Sequence, residues 1–255
     1  MNASRGDCSG ILGCALLSGE RQRDANFSLR PEQLLIDKSF RQMHIIKRAA
    51  ARLFRFRLHQ TRYEYLLHSF NLYQPSTMIE VGVWRGDRAI QFLSLARNLT
   101  WYAGFDLFEG MDSETFASER MGACHPQSYE DVKQRLDTAS NGNCRIDLVQ
   151  GSTHSTLSDF ALKHAGTFDF IYLDGGHSLE TIANDWNCSK QLMSDKGLVV
   201  FDDYYLNDTT RGSKPLIDDL LSDKAYRVRF FPVVEDIIDD LQITMVTVSR
   251  ASENQ

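Results

Sequence analysis

Basic residues, cysteines and long apolar runs are all scarce in this chain of 255 residues. The formal net charge is −6, with 28 Lys and Arg against 34 Asp and Glu, which argues against a surface built to track nucleic-acid phosphates. No apolar run approaches the roughly 20 residues of a membrane span. The five cysteines contain no CxxC pair, so they indicate neither a zinc site nor a disulfide framework. We therefore expect reduced thiols, a cytoplasmic location and a small-molecule ligand.

The composition, 42% hydrophobic and 24% charged, is that of a globular protein with a substantial core. Residues 1–28 are small and polar without a period and are predicted to form a flexible tail. Residues 29–74 have apolar side chains at helical spacing, which predicts two or three helices as an N-terminal cap. Their interleaved basic residues fit either a solvated helical face or a patch for an anionic substrate, a membrane surface or a partner subunit. If the patch binds a partner subunit, these helices would form the interface of a homo-oligomer.

Short apolar runs alternate with helical stretches throughout residues 75–255, which we assign to a single α/β domain. Five runs rich in Val, Ile, Phe and Tyr predict parallel strands, because strands that alternate with helices are joined by right-handed crossovers. Two further strands, "AYRVRFFPV" and "LQITMVTVSR", are joined by a short acidic turn and should pair antiparallel. The pattern predicts a Rossmann-like, seven-stranded, mostly parallel sheet with an antiparallel C-terminal hairpin.

The first strand ends in the turn "IEVGVWRGD", which contains Glu80, Gly82 and Gly86. Glycines at this point allow the backbone to turn tightly and approach a ligand, and the next helix begins with free N–H groups. The alternative is a turn that only requires a positive φ angle. In an open α/β sheet, ligands bind at the carboxyl ends of the strands, so the ends of the other strands should contribute to the same site.

The second strand ends at Asp106, 26 residues beyond Glu80, where a carboxylate can accept hydrogen bonds from both ribose hydroxyls. The third strand ends at Gly151 and Ser152, where an adenine ring could lie against the backbone. The turn has the pattern ExGxxxG rather than GxGxxG, so the cofactor contains a nucleoside but need not contain a pyrophosphate. The missing GxGxxG also argues against a dinucleotide-dependent oxidoreductase.

Three aspartates end the next two strands: Asp174 ends the fourth, and Asp202 and Asp203 end the fifth. Such carboxylates should converge at one rim of the sheet, where their mutual repulsion would drive them to protonate unless a cation binds. Oxygen ligands without a nearby Cys favour Mg²⁺, with Mn²⁺ or Ca²⁺ as the alternatives. The alternative is that these aspartates only cap a loop and a turn.

Three segments resemble motifs of class I S-adenosylmethionine-dependent methyltransferases, most of all the macrocin-type O-methyltransferase and cephalosporin-hydroxylase-like group: "IEVGVWRGDRAIQFL", "YLDGGHSLETIANDW" and "GLVVFDDYY". The resemblance covers roughly residues 75–250. It implies that S-adenosylmethionine is the cofactor and that Mg²⁺ or Mn²⁺ is bound by the three aspartates. The cofactor-binding residues implied by it, with Gly151 and Asp174 added from their positions at the strand ends, are Glu80, Gly82, Gly86, Asp106, Gly151, Ser152 and Asp174.

The fourth strand is followed by His177, three residues after Asp174. The site resembles that of catechol O-methyltransferase, in which a basic lysine at this offset takes the proton of the acceptor hydroxyl. His177, with Asp174 beside it, is therefore the candidate catalytic pair, because an imidazole suits proton uptake near neutrality. Alternatively, His177 packs against the cofactor or caps the following helix.

The resulting functional prediction is a divalent-metal-dependent O-methyltransferase that acts on a hydroxyl of a small polyhydroxylated acceptor, a sugar or a secondary metabolite. The segment "LNDTTRGSKPLIDDLL" is predicted to be a flap over the acceptor, which Tyr204, Tyr205 and Arg211 would contact. A protein that keeps the fold and binds S-adenosylmethionine without turnover is the alternative.

Overall fold

A central sheet organises the structure, a computed structural model that describes residues 61–118, 127–237 and 240–251. The predicted tail and the part of the predicted helical cap before residue 61 lie outside the described residues. The strand order is β3-β2-β1-β4-β5-β8-β6, with β7 paired to β8. The strands are β1 (Thr77–Val81), β2 (Trp101–Asp106), β3 (Arg145–Gln150), β4 (Phe168–Leu173), β5 (Met193–Tyr205), β6 (Tyr226–Phe230), β7 (Glu235–Asp236) and β8 (Gln242–Arg250).

The first five strands are parallel, and β8 runs antiparallel to both β5 and β6, as predicted. The described part of the sheet has eight strands rather than seven, because two residues of the predicted acidic turn, Glu235 and Asp236, pair with β8. Strand order reverses between β1 and β4. This switch point is where open α/β sheets bind their ligands.

Helices cover both faces of the sheet. They are α1 (Arg62–Tyr73), α2 (Asp87–Leu95), α3 (Ser113–Ser118), α4 (Tyr129–Ser140), α5 (Thr153–Lys163), α6 (Leu179–Leu192) and α7 (Lys214–Leu220), with a 3₁₀ turn at Phe108–Gly110. The short helices α3 and α7 were not predicted, and α7 forms the second half of the segment predicted as a flap. None of the helices in the described ranges has the length and apolar character required to cross a membrane.

The side chains of alternate strand residues belong to two separate hydrophobic cores, one on each face of the sheet. Successive side chains of a strand point in opposite directions. One core packs Ile79 and Phe105 against α5, α6 and α7. The other packs Met78 and Phe170 against α1, α2 and α4, where the Phe70 ring of α1 lies 5.2 Å from that of Phe170. Full burial of one such side chain contributes roughly 1.5–3 kcal/mol. Helix α1 is therefore an integral part of the fold.

Candidate active site

A cleft of about 830 Å³, including space open to solvent, lies at the switch point between β1 and β4. The ends of these two strands form the floor of the cleft. They lie close together there, and the backbone N–H of Asp174 donates to the Val81 carbonyl at 2.8 Å. Gly82 has a φ of +90°, and a Cβ atom there would lie 1.8 Å from the Asp174 carbonyl oxygen. Only glycine fits this position, because both the backbone angle and the neighbouring chain exclude a side chain.

Asp106 lies on the cleft wall at the end of β2, where the sequence analysis placed a ribose ligand. Its two carboxylate oxygens accept backbone N–H groups of Trp84 at 2.7 Å and Phe108 at 2.8 Å. Burial raises the pKa of Asp106 and these backbone donors oppose the rise. Trp84 has a φ of +48° and an indole that is 41% exposed. The carboxylate thus fixes the turn that presents the Trp84 side chain to the cleft.

Gly151 and Ser152 line the same cleft at the end of β3. The Gly151 N–H donates to the Asp106 carbonyl at 2.9 Å, and its φ of +130° turns the chain into α5. Ser152 is the N-cap residue of α5, and its carbonyl accepts the N–H of Thr156 at 3.0 Å. The sequence analysis did not identify His154, which lines the cleft from the first turn of this helix.

Two of the predicted cofactor residues, Glu80 and Gly86, lie behind the cleft wall rather than on it. Glu80 is 1% exposed in the core beside α2, where one oxygen accepts the Tyr102 hydroxyl and the other has no hydrogen-bond partner. Burial raises the pKa of Glu80 to about 8. Gly86 is the N-cap residue of α2, and a Cβ atom there would lie 3.2 Å from the Val132 side chain. The periodicity explains the position of Glu80, because it and Val81 point to opposite faces of β1.

The three predicted aspartates converge beside the cleft. One carboxylate oxygen from each of Asp174, Asp202 and Asp203 lies within 4.8 Å of the others. Burial and then the neighbouring Asp202 and Asp203 raise the pKa of Asp174 well above its usual range, while the Tyr172 hydroxyl donates to it at 2.8 Å. Asp174 also lines the cleft, so it belongs to the cofactor wall and to this acid cluster, the name used below for the three aspartates.

An irregularity in β5 brings Asp202 and Asp203 to the same site. Neighbouring residues of a regular strand point to opposite faces, but the pairing of β5 with β8 shifts register between Phe201 and Tyr204. Such a bulge re-aims side chains at the edge of a site. Asp202 and Asp203 are 2% and 7% exposed, so both carboxylates are withdrawn from water.

His177 lies within ion-pair distance of the acid cluster, with Nε2 3.2 Å from an Asp203 oxygen. The other Asp203 oxygen accepts the Tyr205 hydroxyl at 2.9 Å. Burial raises the pKa of Asp203, and the His177 side chain opposes the rise. The His177 carbonyl accepts the N–H of Gly212 at 2.8 Å, which joins the loop after β5 to this site.

The loop after β5 brings only part of the predicted acceptor set to the site. Tyr205 contacts the acid cluster, as described above, and the guanidinium carbon of Arg211 lies 4.9 Å from the centre of its ring. Tyr204 instead points into the core beside α7, and its hydroxyl donates to Asp218 at 2.8 Å. The prediction that Tyr204 faces the acceptor is therefore wrong. Tyr204 and Tyr205 pair with β8 in regular register, so their side chains point to opposite faces of the strand.

Helix α1 contributes a cation to the acid cluster. The side chain of Arg62 is 13% exposed; its Nε lies 3.2 Å from one Asp202 oxygen, and it also pairs with Glu235 of β7. The Tyr63 hydroxyl donates to the second Asp202 oxygen at 3.0 Å. Burial lowers the pKa of Arg62, but the adjacent Asp202 reverses the effect and the net direction is upward. In the sequence, Arg62 is one of the interleaved basic residues of residues 29–74, which fit either a solvated helical face or a patch for a ligand or partner.

A local signal for this contact exists in the sequence. Thr61 and Glu64 form a capping box, in which the Thr61 hydroxyl accepts the Glu64 N–H at 3.1 Å and the Glu64 carboxylate accepts the Thr61 N–H at 2.9 Å. Thr, two residues and Glu before an apolar run are typical of a helix start. The motif fixes where α1 begins, although it cannot reveal that Arg62 meets a residue 140 positions away.

The donor chemistry of the acid cluster fits a divalent cation. All three side chains offer oxygen, and burial, followed by the charges of Asp202 and Asp203, raises the pKa of Asp174. Arg62 supplies one positive charge at Asp202, and the His177 ring lies beside Asp203. Asp174, Asp202 and Asp203 are the residues that would hold the cation.

Comparison with known proteins supports the fold. Residues 79–204 match the sequence family described as "Methyltransferase domain". This match covers just under half of the chain, and together with the fold it supports a class I S-adenosylmethionine-dependent methyltransferase. A search of curated proteins found no match.

Solved structures with the same fold include O-methyltransferases. The O-methyltransferase from Bacillus cereus in complex with SAH shares 13% identity over 86% of this chain and 94% of that chain, with a TM-score of 0.54. A candidate caffeoyl-CoA O-methyltransferase from Staphylococcus aureus shares 14% identity over 84% of this chain and 98% of that chain, with a TM-score of 0.51. At these identities the likeness establishes the fold.

Proposed function

We propose that the protein transfers a methyl group from S-adenosylmethionine to a hydroxyl of a small polyhydroxylated acceptor, with a divalent cation bound by the acid cluster. The observation that carries this proposal is the double position of Asp174, which lines the cofactor cleft and belongs to the acid cluster. A methyl donor in the cleft and an acceptor oxygen at the acid cluster would therefore be neighbours. The O-methyltransferases among the structures of similar fold support the choice of oxygen as the acceptor atom.

The cleft residues have defined tasks in this proposal. The Asp106 carboxylate would face the ribose, the backbone at Gly151 and Ser152 would lie along the adenine, and the close contact of Gly82 with Asp174 would lie beside the methionine end. S-Adenosylmethionine supplies an electrophilic methyl group on a positively charged sulfur. The acceptor oxygen attacks the methyl carbon, the carbon–sulfur bond breaks, S-adenosylhomocysteine is released and the hydroxyl proton must leave.

His177 is the proposed base for that proton. Its Nε2 faces Asp203, so the neutral ring keeps its proton on Nε2 and offers Nδ1 as the acceptor. A bound divalent cation would lower the pKa of the acceptor hydroxyl and hold its oxygen in line with the methyl carbon. Asp174, Asp202 and Asp203, each with one carboxylate oxygen within 4.8 Å of the others, would hold that cation.

An acceptor with two neighbouring hydroxyls fits this site best, because two oxygens can share one cation and thereby fix which hydroxyl reacts. Sugars and polyhydroxylated secondary metabolites have this feature.

A methyl-transfer assay with labelled S-adenosylmethionine over a panel of sugars, catechols and polyketides tests the proposal. We expect label on acceptors with neighbouring hydroxyls, loss of transfer in excess EDTA and recovery with Mg²⁺ or Mn²⁺. Matched compounds with one of the two hydroxyls methylated serve as controls. Full transfer in EDTA would remove the cation from the proposal, and labelling of amines alone would remove the hydroxyl acceptor.

A further inference from the structure

We propose that Arg62 competes with the divalent cation for Asp202, so that cation binding loosens the start of α1 and docking of α1 weakens cation binding. This inference rests on the cation site of the proposed function and adds Arg62 as a residue that regulates cation binding there. Arg62 acts here as a positioning residue, because its effect passes through the Asp202 carboxylate.

Both oxygens of Asp202 are already engaged by α1. Arg62 Nε lies 3.2 Å from Oδ1, and the Tyr63 hydroxyl donates to Oδ2 at 3.0 Å, with Arg62 Nη2 3.4 Å from the same oxygen. Asp202 is 2% exposed, so water cannot take over from these donors. A cation that coordinates Asp202 must displace or crowd these groups, and like charges repel strongly where water is excluded.

Glu235 provides a second partner that makes release of Arg62 feasible. Its carboxylate pairs with the Arg62 guanidinium and also accepts the Arg62 backbone N–H at 2.8 Å. Arg62 can therefore leave Asp202 and keep a counter-charge, which avoids the cost of an unpaired buried cation. The arrangement has two states: Arg62 shared between Asp202 and Glu235, or Arg62 held by Glu235 alone with Asp202 on the divalent cation.

The coupling between the two events must be reciprocal, because binding free energies in a cycle are linked. If cation binding detaches Arg62 from Asp202, removal of Arg62 must tighten cation binding. Loss of the guanidinium should therefore increase affinity, which is opposite to the effect of general damage to the site. This sign separates competition from a merely structural role.

The test is a titration with Mn²⁺, followed by the decrease of the paramagnetic resonance signal of free Mn²⁺. We expect Arg62→Gln to bind Mn²⁺ about tenfold more tightly than the wild type, within the usual range of coupling between linked sites. Arg88→Gln is the matched control: the Arg88 guanidinium lies 4.1 Å from the centre of the Tyr63 ring, but its side-chain hydrogen bond goes to Gln91. It should bind Mn²⁺ within about twofold of the wild type, since surface charges are screened.

A second variant should change the Mn²⁺ affinity in the opposite direction. Glu235→Gln removes the alternative partner of Arg62, so Arg62 should hold Asp202 more firmly and Mn²⁺ should bind several-fold more weakly. Hydrogen exchange of the full-length wild type gives an independent readout: saturating Mn²⁺ should speed exchange in residues 61–66. Glu235→Gln and the exchange measurement keep the test decisive if Arg62→Gln does not fold.

The outcomes separate this inference from the proposed function. Mn²⁺ binding by the wild type, with equal or weaker binding by Arg62→Gln, overturns the competition and leaves the cation site in place. In the absence of a folded Arg62→Gln, unchanged exchange in residues 61–66 together with unchanged affinity in Glu235→Gln overturns it. A folded wild type that binds no Mn²⁺ overturns the cation site itself and the competition with it.

Discussion

The site has a cofactor half, the cleft lined by Gly82, Asp106, Gly151 and Ser152, and an acid half, the acid cluster. The two halves accommodate buried carboxyl groups in opposite ways. Behind the cofactor half, Glu80 is buried against Tyr102, and its raised pKa of about 8 keeps it largely protonated at neutral pH. In the acid half, the carboxylates lie close together, Arg62 pairs with Asp202, and the His177 ring lies beside Asp203. Burial of a carboxyl group is therefore tolerated in the cofactor half because the group is neutral and fits its surroundings. In the acid half it is tolerated because neighbouring side chains compensate the negative charge.

Substitution of Gly82 tests the shape of the cofactor half and should have the largest effect. Gly82→Ala places a Cβ atom 1.8 Å from the Asp174 carbonyl oxygen at a φ of +90°, so the joint between β1 and β4 must open. We expect a loss of about 4 kcal/mol or more in the free energy of unfolding, measured in urea.

Gly142→Ala is the control for the Gly82 substitution. Gly142 has a similar φ of +71°, but no atom lies within 4 Å of a Cβ built there. Only backbone strain remains, which is about 1–2 kcal/mol. Equal losses in the two variants would show that the contact with Asp174 is unimportant.

Asp202→Asn tests charge in the acid half. Turnover should fall on the order of 100-fold, because the substitution weakens electrostatic stabilisation of the reacting oxygen, while affinity for S-adenosylmethionine stays within about twofold. Steady-state kinetics and calorimetry measure the two quantities. Asp195→Asn, on the exposed part of the same strand, should change neither. A parallel loss of cofactor affinity and turnover in Asp202→Asn would contradict the division into halves.

Asp106 tests the cofactor half by the opposite criterion. Asp106→Ala should weaken S-adenosylmethionine binding by about 1.5–3 kcal/mol, since it removes charge-assisted hydrogen bonds and the acceptor of the Trp84 N–H. Calorimetry checks the loss, which should be the same with and without EDTA. Asp106→Asn, which keeps one acceptor oxygen, should fall between the wild type and the alanine variant. Unchanged affinity in Asp106→Ala would remove the ribose assignment.

The pH dependence of stability should report on Glu80 and is the smallest effect over one pH unit. Burial raises the pKa of Glu80 from 4.5 to about 8, so the folded state holds a proton that the unfolded state loses across this window. Stability therefore falls as pH rises, by at most about 1.4 kcal/mol per unit. Urea unfolding at pH 6 and pH 7 measures the slope, and Glu80→Gln should reduce it. The same slope in both proteins would falsify the assignment.

Local sequence was sufficient for most of the fold and for the positions of the strand ends. Periodicity located the five parallel strands, and glycine chemistry located the turn at Gly82. Sequence could not place Glu80 on the correct face, because a turn motif does not state which way the strand that precedes it is facing.

The acid half depends on contacts that sequence spacing does not contain. The convergence of the three aspartates follows from parallel strand ends, and it was predicted on that basis. The register shift that turns Asp202 and Asp203 to one site depends on pairing with β8. Arg62 and Glu235 are 173 residues apart, and only the packing of α1 beside β7 reveals that they meet.

The joint between Gly82 and Asp174 has a consequence for recombination of this protein with its relatives. The missing side chain of one residue makes room for the carbonyl of the other, and Asp174 serves both halves of the site. A chimaera whose crossover falls between β1 and β4 must therefore inherit a compatible pair across the boundary. A crossover after β5 leaves the joint intact, so the segments that follow Tyr205 can be exchanged between parents without disturbing the cofactor cleft.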